Sequence, residues 1–520
     1  MSDGSRPPIA LQVDGRAVEV PDRGQSLLSV LREDLHLVAP KDGCSPQGQC
    51  GCCTVLVDGQ PRVACVTPAR RVAGRTVTTV DGLPPERQER WADAFTGAGA
   101  SQCGFCTPGI ICRLEGLAAR APDADHAAVE QALLAHLCRC TGWRTILDAW
   151  DGRTGTSSPP GRDLDGAARR AEIEGGARQR VGAEVALGRG GFADDAAPPG
   201  ALVAVPDGRG GWAVGETLDE ARAAAGKVQG RRTTVEARPP IDAPPGDWAA
   251  VLRTSWVEPA YLEPDASWCE PGGQPASPLA NGGAFGGKRQ SPVLAAAREL
   301  ADRHGRAVRV LFNREDTVRL GPKRPPVAGG ARPDGSGILR VARTAGIVEV
   351  VARVAPGLAV EEVDVAGPPT SIDLRAAGWA EAVVLMAGAR GGLGPVVDPV
   401  RGAEAEATID PDGTVRVRVQ AGEVLDETVL RSYCTGAAHM ALSWVSREGI
   451  AVDGDGTVHD LTVRSFGVLR ATETPPIEVE VEAGAGPAVR GSDAVFAAVA
   501  AAAWIHGGCP PEWPTGQRWR

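Results

Sequence analysis

Four cysteines in two tight pairs constrain this chain more than any other feature. Cys103 and Cys106 lie in Gln102-Cys103-Gly104-Phe105-Cys106-Thr107-Pro108-Gly109, and Cys138 and Cys140 in Cys138-Arg139-Cys140-Thr141-Gly142. The residues between them have helical periodicity: Ile110, Ile111, Leu114 and Leu117 mark one apolar face, and Val129, Leu133, Leu134 and Leu137 another. Pro108 suits an early helical position, so one helix leaves the first pair and a second delivers the other pair at its end. The pairs can meet across this hairpin, and four converging thiolates are a metal-site layout. On spacing alone, zinc remains a rival occupant. Cys112, inside the first helix, is read as core.

A second cysteine set precedes it. Lys41-Asp42-Gly43-Cys44-Ser45-Pro46-Gln47-Gly48-Gln49-Cys50-Gly51-Cys52-Cys53 is followed by Cys65, which gives C-x5-C-x2-C and a distant fourth cysteine. The plant-type iron-sulfur spacing has one residue fewer in the first gap. The interleaved glycines let backbone N–H groups approach the sulfurs of an inorganic core. Zinc is the alternative here too, and Cys52 is expected to point into packing. Upstream, Ile9 to Val20 alternates around Asp14-Gly15, a hairpin signal. Ser26 is expected to cap a helix carrying Leu27, Leu28, Val30 and Leu31.

Ten of the thirteen cysteines lie before residue 141. Such clustering favours thiolate ligands in a reducing compartment over disulfides. The N-terminus lacks the apolar run of a secretory signal, and the longest apolar run, Ala494 to Ile505, is too short to span a bilayer. These features predict a cytoplasmic protein without a membrane span. The net charge of -10 argues against a nucleic-acid partner.

After Trp150 the chain becomes rich in Gly, Ser, Pro, Arg and Asp, and residues 151–180 read as an exposed linker. Leu218 to Ala225 is a candidate helix, Ala295 to His304 an amphipathic helix, and Val308 to Phe312 a buried strand. Asn281-Gly282-Gly283-Ala284-Phe285-Gly286-Gly287-Lys288 concentrates glycine so that backbone N–H groups can approach an anionic or polar cofactor. A ligand-free structural turn is the alternative. A nucleotide P-loop is disfavoured because Arg289 stands where a Mg²⁺-binding Ser or Thr is required. Gly321 to Pro326, with Lys323 and Arg324, reads as a solvated turn. Ala403 to Val419 alternates around a hairpin at Asp412-Gly413. Tyr433 to Leu442 reads as a glycine-containing turn into a helix, with His439 in a structural role.

The loop of Cys44, Cys50, Cys53 and Cys65, followed by QCGFCTPG and CRCTGW, resembles the two-cluster iron-sulfur module of the xanthine dehydrogenase and aldehyde oxidase family of molybdenum hydroxylases. It does so almost continuously over residues 9–150. The resemblance implies a β-grasp ferredoxin domain at 1–82 and a four-helix domain at 83–150. Each would hold one [2Fe-2S] cluster, on Cys44, Cys50, Cys53 and Cys65 and on Cys103, Cys106, Cys138 and Cys140. Gln102 and Cys140 match positions that approach the pterin. Glu258 to Cys269, with Gly282, Gly283, Phe285, Gly286 and Gly287, resembles molybdopterin-binding segments. Gly190 to Asp195 resembles the entry to that portion, Asn313 to Asp316 a strand-end element, and Arg375-Ala376-Ala377-Gly378 an arginine-glycine loop near cofactor and substrate. The implied fold class is α+β and multidomain. A shortened α/β molybdopterin-binding-like region would occupy 181–400, with its C-terminal α/β part at 401–520.

Two departures limit the resemblance. The molybdenum portion is much shorter than the family's, mainly between Arg375 and Ala403. Where the family carries a C-terminal glutamate base, Arg490-Gly491-Ser492-Asp493-Ala494 has none. Asp493 is the nearest candidate base, and a helix N-cap is its alternative role. The expectation is an iron-sulfur oxidoreductase passing electrons between a molybdopterin site and an external acceptor. The missing middle favours a companion molybdopterin-binding catalytic subunit, which holds or shares that cofactor. No flavin-domain signature is visible. The alternative is a non-catalytic electron-transfer or assembly subunit whose C-terminal region is a docking surface.

Overall fold

The computed structural model describes residues 7–155, 162–227, 233–279, 281–392, 394–459 and 461–520. Residues 1–6 of the first expected domain and 156–161 of the expected linker lie outside them. Strand β1 (Ile9–Val13) buries Ile9, Leu11 and Val13 by strict alternation and pairs antiparallel with β2 (Arg16–Val20). With β3 (Thr54–Val57), β4 (Gln60–Val63) and β5 (Thr76–Thr78) they form one sheet in the order β2-β1-β5-β3-β4. Ser26 caps the next helix, its hydroxyl accepting from the Ser29 N–H at 3.1 Å. Helices Pro85–Gly97, Thr107–Ala118, His126–Ala132 and Arg144–Gly152 follow, and they share one hydrophobic core with the sheet.

A second sheet centres on Val308–Phe312, parallel to Leu202–Pro206 and antiparallel to Asp265–Cys269. All five residues of Val308–Phe312 are buried because both faces are covered. Val308, Val310 and Phe312 meet Ala297 and Leu300 of helix Val293–His304, while Leu311 packs with Ala221 of helix Leu218–Ala224 on the other side.

The largest core lies beneath two further sheets and contains helices Trp379–Arg390, Glu427–Ser446 and Ser492–His506. The last of these is buried nearly all round, as its run of alanines dictates. Strands Glu404–Ile409 and Val415–Gln420 pair antiparallel across Asp412-Gly413. Among the described residues, no helix is long and apolar enough to cross a membrane.

Four expectations are corrected. The segment read as a linker contains helix Leu164–Gly175, N-capped by Asp163, with Ala167, Arg170, Ala171 and Glu174 buried. Lys323 and Arg324 are buried, not solvated. The Lys323 ammonium donates to the Thr317 carbonyl at 3.1 Å and to that of Gly321. Arg324 pairs with Glu381 at 3.0 Å and stacks on Trp444. Tyr433 to Leu442 contains no turn, since it lies inside the single helix Glu427–Ser446. Asp493 is not an N-cap: it lies in the first turn of helix Ser492–His506 with its carboxylate among arginines. His439 is fully buried, with Nε2 3.0 Å from the Leu469 carbonyl oxygen.

Candidate functional site

The first cysteine set is held by the loop that runs into β3. Cys44, Cys50 and Cys53 are each 1% exposed and Cys65 5%, so the set is sealed from water. Backbone N–H groups point at sulfur as the glycine-rich loop requires: Gln47 donates to Cys44 Sγ at 3.3 Å and Cys65 to Cys53 Sγ at 3.4 Å. The thiols contact one another in a continuous run, from Cys52 to Cys50, Cys44, Cys65 and Cys53. Cys52 does not point away into packing as expected: its thiol contacts that of Cys50 and lies 3.8 Å from the Cys50 carbonyl oxygen, because Cys50, Cys52 and Cys53 follow one another in one tight buried loop.

The second set forms where helix Thr107–Ala118 begins and where the chain enters helix Arg144–Gly152. It is paired: Cys103 Sγ lies 3.7 Å from Cys140 Sγ, and Cys106 contacts Cys138. Among the described residues, no group of three or more His, Cys, Asp or Glu is disposed around a single metal ion. Each set brings four candidate thiols together, enough to supply two sulfur ligands to each iron of a dinuclear cluster, so both sets fit [2Fe-2S].

The two sets are joined closely. The Leu137 N–H donates to the Cys50 carbonyl at 2.9 Å, and Thr54 Oγ1 lies 3.1 Å from His136 Nε2. A Cβ at Gly109 would lie 2.4 Å from the Gly51 carbonyl oxygen, so helix Thr107–Ala118, which follows Cys106, sits backbone to backbone on the first loop.

Beside Cys103 and Cys140 the structure brings together most of the residues expected at the pterin. Gln102, Gly282, Phe285, Arg375 and Asp493 line one cavity with them. The groups are spent on each other. Gln102 donates to the Cys140 carbonyl at 2.8 Å and to Ser432 Oγ at 2.9 Å. Arg375 lies over the Phe285 ring and 3.4 Å from Asp493. Burial pushes the Asp493 pKa up, but Arg490, Arg375 and Arg401 outweigh it and hold the carboxyl below its usual range. A carboxylate held ionised by three guanidiniums is a weak proton acceptor.

The glycine loop meets the chain itself. A Cβ on Gly283 would lie 2.0 Å from the Gly175 carbonyl oxygen, and one on Gly286 1.9 Å from that of Asp373. The close approach that glycine permits is therefore to protein backbone. The remaining cavity is about 30 Å³, room for a water or two. These residues do not fit a molybdopterin.

Glu174, Gln179, Tyr433 and Arg490 also line this cavity and were not expected there. The readable signal was Asp163 followed by Arg170 and Glu174 at the i,i+4 spacing of a helical ion pair.

Comparison with known proteins agrees with both cysteine sets. A 2Fe-2S iron-sulfur cluster binding domain matches residues 11–74, and a [2Fe-2S] binding domain matches residues 79–151. A protein of Bacillus subtilis named as a probable xanthine dehydrogenase subunit is 38% identical over 138 residues, 26% of this chain and 79% of that protein. A nicotinate dehydrogenase subunit of Pseudomonas putida is 42% identical over 145 residues, 27% of this chain and 90% of that protein. Over a longer span the fold resembles aldehyde oxidoreductase from Desulfovibrio gigas. That likeness has a TM-score of 0.54 at 18% identity and covers 84% of this chain and 74% of that one. With two [2Fe-2S] binding domains and these relatives, the chain belongs to the xanthine dehydrogenase and aldehyde oxidase family of molybdenum hydroxylases.

Proposed function

We propose that this chain is the electron-relay subunit of a molybdenum hydroxylase. It passes electrons between an external acceptor and a molybdopterin site on a companion catalytic subunit. Cys44, Cys50, Cys53 and Cys65 hold one [2Fe-2S] cluster, and Cys103, Cys106, Cys138 and Cys140 the other. When bound, the clusters supply one-electron redox chemistry. The chain's own residues do the rest. Burial excludes water from the thiolates of the first set, backbone N–H groups at Gln47 and Cys65 stabilise charge on sulfur, and the Cys50 to Leu137 hydrogen bond links the two sets.

That hydrogen bond is the observation that supports the reading, because Cys50 of one set accepts from the residue that precedes Cys138 of the other. The companion is supported by the relatives aligned over most of their length, which are themselves named as subunits. In the same reading, Asp493 is an ion-pair residue and not a base. The test is metal analysis and low-temperature EPR of the dithionite-reduced full chain. Two distinct [2Fe-2S] signals and about four irons per chain are expected. Zinc in either set overturns the relay.

A further inference from the structure

The residues between the helical domain and the glycine loop do more than connect them. Arg162 makes two 2.8 Å bonds to the Asp426 carboxylate and donates to the Thr96 carbonyl at 2.6 Å. Helix Leu164–Gly175 then runs into the groove beside the second cysteine set. At its end, the Glu174 carboxylate accepts the N–H groups of Gly491 at 2.9 Å and Ser492 at 3.0 Å, the start of the fifteen-residue helix Ser492–His506. It also pairs with Arg170, and both side chains are fully buried. The Gly175 carbonyl sits on Gly283, Gln179 takes the Tyr433 hydroxyl, and the Arg180 N–H donates to Asn281 Oδ1 at 2.9 Å.

A helix N-terminus presents unpaired N–H groups and a partial positive charge, which an anion neutralises. Here the anion is internal. The glycine contact is an independent observation, because the close approach that Gly283 permits is taken by the Gly175 carbonyl of the same segment.

We propose that residues 162–182 are a built-in occupant of the groove between the second cysteine set and the glycine loop. The Glu174 carboxylate takes the place of the phosphate of a bound cofactor, so this chain carries iron and no molybdopterin. The inference rests on the relay reading, and it adds that the groove is a filled scaffold rather than half of a shared cofactor pocket.

The full-length chain is to be produced in a host that makes molybdopterin, then assayed for iron, molybdenum and oxidised-pterin fluorescence. Iron in both sets with neither molybdenum nor pterin above background is expected. Molybdenum and pterin near one per chain, with iron present, overturn the built-in occupant alone. Missing iron overturns the relay reading on which it rests. A second measurement addresses Glu174 directly. Glu174→Ala is expected to lower the melting temperature by several degrees, and added acetate, filling the vacated carboxylate position, to restore it in the variant and not in the parent chain. Acetate acting on neither protein, or on both alike, overturns the role given to Glu174. Glu174→Gln, which keeps the shape and one accepting oxygen, is the variant of choice if alanine prevents folding, and it is expected to show a smaller drop with no acetate response.

Discussion

The backbone N–H of Leu137 donates to the carbonyl oxygen of Cys50 across 2.9 Å, so the strand-side and helix-side thiol sets share one peptide contact. His136 has φ -106° and ψ 154°, a conformation that tolerates a following proline. Leu137→Pro therefore removes the donor without forcing the backbone before it. The Cys50 carbonyl then keeps only the weak Cys52 thiol donor at 3.8 Å, and losing the Leu137 bond costs about 0.5–1.5 kcal/mol. Leu137→Ala, which shortens the same buried side chain and keeps the N–H, is the control. Rapid-reduction kinetics should show slower electron exchange between the clusters in the proline variant than in the alanine variant, with both EPR signals retained. Equal rates in the two variants would remove this bond from the relay.

Removal of one ligand separates the two clusters. Cys103 lies 3.7 Å from Cys140, its partner in the second set. Cys103→Ala takes one sulfur from that set and leaves the first intact. Iron is expected to fall from about four to about two per chain, with one EPR signal lost and the other unchanged. Loss of both signals would mean that the first set depends on the second for its folding.

The cysteine sets were legible because a ligand set is written in short spacings and glycines, which few other structures require. The partners of buried charge were not legible. Arg324 looked like part of a solvated turn because Glu381 and Trp444, which make its burial possible, lie far along the chain. Helix Leu164–Gly175 was hidden by its surroundings, rich in Gly, Ser and Pro, and by the distance from Glu174 to Gly491 and Ser492. The glycine loop shows the limit most plainly. Glycine at 283 and 286 announces that something comes close, and only the fold identifies it as the carbonyls of Gly175 and Asp373.

Arg139, between the two cysteines of the C-x-C pair, ties the iron-sulfur module to the C-terminal region through a two-bond pair with Glu448. One of these bonds is 2.9 Å, and both side chains are almost completely buried. Breaking such a pair leaves a desolvated charge alone. Glu448→Ala is expected to destabilise the chain by about 3–5 kcal/mol in denaturant unfolding. Replacing both partners, Arg139→Met with Glu448→Leu, should cost less than the single change, because no charge is left uncompensated.

His439 makes stability depend on pH. Burial is the main force that lowers its pKa, Arg139 adds to it, and the result is about 3. The unfolded imidazole binds a proton near pH 6.5. Between pH 6.5 and pH 3 the unfolded chain therefore holds a proton that the folded chain does not, and protons favour unfolding. The stability contributed by the neutral ring is complete above pH 6.5. It falls by about 1.4 kcal/mol per unit as the pH drops toward 3. His439→Gln keeps a hydrogen-bond donor for the Leu469 carbonyl and cannot titrate. Melting temperatures measured from pH 7.5 to pH 5 should fall less steeply for this variant than for the parent chain. Parallel curves would show that other groups govern the acid side.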